Sequence, residues 1–143
     1  MSKLVAITLL LAATTVASAD NLEERKYWKT IQKNADDAAK KAGKACDTEF
    51  TVEFIDKPKF REEAAKTKHN PGSICQNMVD RVLMLCREGE DEKASVKAKI
   101  KAFQCGFSPE RTLDIKNGTL IYLGNHTQAN FADWAKPALT KKL

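Results

Sequence analysis

The feature that most constrains this chain is the run 73–87, SICQNMVDRVLMLCR, which carries a cysteine near each end. Cys75 and Cys86 are eleven residues apart. At about 100° per residue, both thiols return to nearly the same face of a helix. Ile74, Met78, Val79, Val82 and Leu85 lie close to that stripe. With about 1.5 Å of rise per residue the two sulfurs stand about 16 Å apart, far beyond disulfide reach. Each therefore joins the helix to a different neighbour. That excludes Cys75 with Cys86, one of three connectivities open to four cysteines. Past Gly89 the chain should run back alongside the helix, carrying Cys105 toward the Cys75 end. The favoured pairs are Cys75–Cys105 and Cys46–Cys86.

Disulfides presuppose an oxidising compartment, and residues 1–19 have the form of an export leader. Lys3 stands in front, residues 4–13 are apolar, and Ala17-Ser18-Ala19 is the small-x-small cleavage pattern. The apolar run is shorter than the ~20 residues of a bilayer span, and no second run follows. The reading is a signal peptide over 1–19 and one exported domain over 20–143, periplasmic or extracellular, with no transmembrane segment. A metal site is disfavoured. No two cysteines are close in sequence, and neither His69 nor His126 neighbours one.

The formal net charge of +5 falls to +4 without Lys3. That suits an anionic partner and falls short of the dense basic stripe of a nucleic-acid binder.

Residues 22–45 read as a long helix, with Trp28, Ile31, Ala35, Ala38, Ala42 and Ala45 on one seam. Asp36 with Lys40 and Asp37 with Lys41 are i,i+4 pairs. Residues 49–55 alternate as a half-buried strand through Phe50, Val52 and Phe54. A short helical turn over 60–68 and the turn His69-Asn70-Pro71-Gly72 lead to the central helix, with Ser73 and Gln76 as its capping box. Glu90-Asp91-Glu92 reads as a solvated acidic turn. Val96, Ala98, Ile100 and Ala102 alternate with Lys97, Lys99 and Lys101, which predicts a strand with one wet face, although alanine and lysine favour helix. Asn117-Gly118 predicts a type I′ hairpin between 111–116 and 119–123. With the preceding strand it completes a three-stranded antiparallel meander. A last amphipathic helix, capped by Thr127 or Asn130 and kinked or interrupted at Pro137, buries Phe131, Trp134, Ala135, Ala138 and Leu139.

The expected fold is a small disulfide-stapled α+β domain in the order helix, strand, helix, three-stranded antiparallel meander, helix.

Nucleophile elbow, metalloprotease histidine pair, phosphate loop and haem motif are all missing from the sequence. Catalysis by a general base would rest on His69, in a turn, or on His126, beside Asn125 and Thr127. Glu62-Glu63 and Glu49/Glu53 are ordinary solvated carboxylates. Asn117-Gly118-Thr119 and Asn125-His126-Thr127 match the N-glycosylation pattern and serve equally as turn and cap residues. Lys93, Lys97, Lys99 and Lys101 are the most suggestive surface feature. On a strand they would form a positive face for an anionic polymer or an acidic protein. The plainer account is an edge strand kept soluble by lysines. The function expected from sequence is an exported, non-enzymatic binding or inhibitory module with no cofactor. The competing readings are a secreted hydrolase using His126 or an acidic cleft, and a structural accessory protein of the cell envelope.

Overall fold

The computed structural model describes residues 13–124 and 130–143, the side chains of 13–20 excepted. In order it contains α1 (Ala13–Cys46), β1 (Thr51–Phe54), α2 (Lys57–Lys66), α3 (Pro71–Glu88), α4 (Glu90–Lys99), β2 (Ala102–Phe107), β3 (Thr112–Lys116), β4 (Thr119–Gly124) and α5 (Phe131–Lys142). Thr30 closes one compact unit and Ile31–Leu143 forms the other, the boundary falling within α1. In the first unit the rings of Tyr27 and Trp28 meet edge to face at 5.5 Å. Among the described residues no helix is long and apolar enough to cross a membrane.

α+β is the correct class, but the strands are not a meander. They form one mixed sheet in the order β1-β2-β4-β3, with β1 parallel to β2, β2 parallel to β4, and β3 antiparallel to β4. The hairpin at Asn117-Gly118 is present, Asn117 at φ 49° and Gly118 at φ 78°. Its second arm, however, inserts between β2 and the first arm. Two strand spacings amount to about 9.6 Å, which the linker 108–111 covers, since four residues reach about 13 Å. Composition chooses the order. β4 brings Leu120, Ile121, Tyr122 and Leu123 to an inner position, whereas β3 holds Asp114 and Lys116 at the edge.

Register places two apolar rows across one face: Val52, Phe103, Leu120 and Ile115, then Phe54, Cys105, Tyr122 and Leu113. α3 is joined to this face by Cys75–Cys105, with Cα atoms 5.6 Å apart. Its stripe of Ile74, Met78, Val79, Val82 and Leu85 is buried. Cys46–Cys86, at 5.1 Å between Cα atoms, ties the end of α1 to the end of α3. A Cβ on Gly72 would come within 3.4 Å of the Ile31 side chain, so a glycine sits where α1 and α3 approach closely. The Tyr122 ring packs edge to face against Phe131 and tilted against Trp134, and the Arg111 guanidinium lies 4.9 Å over Trp134. Burial pushes the Tyr122 phenol up, and Arg111 opposes it.

Three local expectations need correction. The cap of α3 is Asn70, not Ser73: its Oδ1 accepts the Ser73 N–H at 2.8 Å, with Pro71 in the first turn. Asparagine before proline is the stronger start signal. The predicted strand over 93–105 is α4 followed by β2. Glu90, Asp91 and Glu92 are its first turn, where carboxylates favour the positive helix end, and Val96 is its buried contact. Helix propensity outweighed the alternation. Finally, Pro137 does not interrupt α5, which continues through it; Asn130 is the N-cap, as one of the two expected residues, in the left-handed region and without a side-chain hydrogen bond. Thr127 lies outside the described residues.

Candidate functional site

α1 ends in a tight elbow. Asp47 adopts φ 52°, and the Thr48 N–H returns to the Gly43 carbonyl at 3.0 Å. A Cβ on residue 43 would lie 2.6 Å from the Thr48 carbonyl oxygen, so Gly43 permits the close return. The chain then enters β1, an outer strand of the sheet.

Thr51 and Ile55 donate their backbone N–H groups to Lys101 and Cys105 on the β2 side. In a parallel ladder the intervening residue points both backbone groups the other way. Val52 therefore directs its N–H and C=O outward. The Gln32 side chain donates to the Val52 carbonyl at 2.8 Å and to Asp36 at 2.9 Å, occupying one end of this edge. Beyond that contact α1 and the segment 47–52 enclose an open cleft of about 960 Å³, whose apolar lining includes Ala39, Phe50 and Val52.

Lys40 and Lys44 line the helix side of the cleft one turn apart, and Asp47 and Glu49 line the other side. The expected pairs Asp36–Lys40 and Asp37–Lys41 do not form: Asp36 accepts from Gln32 instead. Asp47 is held by Lys93 at 3.3 Å. Lys40, Lys44 and Glu49 make no ion pair among the described residues.

The lysines singled out from sequence do not form one face. Lys93, Lys97 and Lys99 lie on α4 and Lys101 follows it. Lys93 pairs with Glu90 at 3.1 Å as well as with Asp47, and both carboxylates push its ammonium pKa up, the Glu90 hydrogen bond most. Lys99 reaches the carbonyls of Lys142 and Leu143, and Lys101 that of Lys97. A strand would have aligned them; a helix turns Lys97 and Lys99 about 200° apart. His126 lies outside the described residues. His69 is exposed, its Nδ1 2.7 Å from the Thr67 carbonyl. Among the described residues no group of three or more His, Cys, Asp or Glu side chains is placed to hold a metal ion.

The sequence reading missed the cleft because its residues belong to two unremarkable elements. Gly43 beside the helix end, followed within ten residues by a β pattern, is the signal that was available. No protein-family model matches the chain, and neither a curated protein nor a solved structure matches it.

Proposed function

We propose that this chain is an exported, non-enzymatic binding module that takes an extended polypeptide segment of its partner into the cleft between α1 and β1. The observation that carries the reading is the outward edge of β1, which opens into a cleft with an apolar floor rather than onto another strand. An added strand gains main-chain hydrogen bonds from such an edge, while alternate side chains enter the groove. Unpaired Lys40 and Lys44 favour a segment with an acidic residue facing the helix. The leader pattern and the two disulfide-linked pairs support export.

A hydrolase reading is less well supported by the cleft carboxylates. Asp36 is engaged by Gln32 and Asp47 by Lys93, which leaves Glu49 the one without such a bond. Paired-carboxylate chemistry needs two available groups.

The test is selection of peptides from a random library on the oxidised 20–143 chain, followed by amide chemical-shift mapping. Peptides that shift the Val52 and Phe54 amides and bind more weakly to Lys40→Glu support the reading. A library that yields no binder, or binders whose shifts map elsewhere, overturns it.

A further inference from the structure

On the other side of the elbow, residues distant in sequence meet in a second depression. Lys41 and Lys44 from α1, Arg87 from the last turn of α3 and Lys93 from the first turns of α4 line a basin of about 570 Å³, together with Ala45, Cys86 and Glu90. The Cys46–Cys86 bridge fixes two of the contributing helix ends against each other. The Lys93–Asp47 contact draws α4 toward the same place. We infer that this basin is a binding site for a compact ligand carrying two or more phosphate or sulfate groups.

The charge balance is the reason. Of the four cations lining the basin, Lys93 is answered by Glu90 and Asp47. Lys41, Lys44 and Arg87 have no carboxylate within ion-pair distance among the described residues. Two of the acidic residues nearby in sequence are used elsewhere: Glu88 holds Lys136 at 2.8 Å, and Asp36 accepts from Gln32. Cations gathered around one open hollow raise the local positive potential that an anion meets there. Helix C-terminal partial charges account for Lys44 and Arg87 one at a time. They do not account for Lys41, or for the meeting of three elements around one hollow.

The ligand class follows from the donors. The Arg87 guanidinium is a planar fork that matches two oxygens of one oxyanion, and the lysines add point charges around it. The volume falls within the range of small-molecule sites, about 300–1,000 Å³. It holds a phosphorylated or sulfated sugar or polyol. This site does not depend on the peptide-binding reading of the neighbouring cleft. Only Lys44 lines both, so it is left unchanged in the test.

The experiment is calorimetric titration of the oxidised 20–143 chain with inositol hexakisphosphate and, separately, with inositol hexasulfate, two probes on the same ring, each at low and at physiological salt. Two variants are compared: Lys41→Ala/Arg87→Ala in the basin, and Lys33→Ala/Lys141→Ala, an equal charge change at exposed positions outside it. The expected result is saturable binding of at least one probe, weakened roughly tenfold or more by the basin variant and little by the control. Preference for one probe identifies the phosphate or the sulfate source. Thermal melts of both variants confirm that they are folded. Absence of saturable binding to both probes, or equal weakening by both variants, overturns the proposal.

Discussion

The two bridges make a quantitative prediction. Cys46–Cys86 closes a separation of 40 residues and Cys75–Cys105 one of 30. Loop-closure entropy in the unfolded chain then assigns about 3.9 kcal/mol to the first and about 3.7 kcal/mol to the second at 25 °C. All four cysteines are buried, at 0–3 % exposure. Replacement by alanine therefore adds a packing loss of about 1 kcal/mol. Cys46→Ala/Cys86→Ala and Cys75→Ala/Cys105→Ala should each lose about 4–5 kcal/mol. At about 3 °C per kcal/mol for a chain of this size, the melting temperature drops by about 12–15 °C. The two loops share only residues 75–86, so removing both bridges should cost close to the sum of the two losses. The assay is urea unfolding of the oxidised proteins followed by ellipticity, with peptide mapping to verify the pairs. The m-value should rise in each variant, since an uncrosslinked unfolded chain exposes more surface. A loss below about 1 kcal/mol in either variant, or an unchanged m-value in both, would refute the entropic account.

Three further outcomes are expected. Gly43→Ala forces the Thr48 carbonyl away from a 2.6 Å contact and costs about 1–3 kcal/mol; amide exchange at Thr48 should accelerate, and an unaltered exchange rate would show that the elbow is not held there. Asn70→Ala removes the acceptor of the Ser73 N–H and lowers stability by about 1 kcal/mol in urea unfolding, whereas Ser73→Ala, which keeps that bond, costs less. Asp114 accepts hydrogen bonds from Lys142 and Lys116 that hold its pKa at about 2, below its ordinary 3.8. Its depressed folded-state value stabilises the fold above pH 3.8 and that contribution is lost as pH falls toward 2; Asp114→Asn should flatten the acid limb of the stability profile in that window, and a profile identical to wild type would contradict it.

Much of the fold was legible where periodicity and chemistry agreed. In α3 the apolar stripe, both cysteines and the nearby stop at Gly89 pointed the same way, and the pairs seen in the structure are those the helix geometry favoured. β1 and the Asn117-Gly118 hairpin were equally plain, because alternation and turn residues coincided. Residues 93–100 were not, since lysine at every second position imitates a strand while Val96 and Ile100, four apart, serve a helix. Sheet order was beyond local reading. Nothing within 119–124 states that this arm will pair with β2 as well as with β3; that follows from which strand profits most from two neighbours. The candidate sites were least legible. Lys41, Lys44, Arg87 and Lys93 are ordinary surface residues in sequence, and only the meeting of α1, α3 and α4 makes a basin of them.

The parallel pairing of β1 with β2 has a consequence for how the chain matures. Thr51 meets Ala102 across more than a third of the length of the polypeptide, so a chain delivered amino end first emerges with β1 lacking any strand to join. During that interval Cys46 encounters Cys75 before either Cys86 or Cys105 has arrived. The first bond within reach is thus a non-native one, and if it forms a thiol must attack it and exchange partners before the final pairs are reached. Where that early bond does form, maturation needs a catalyst that can break disulfides as well as make them.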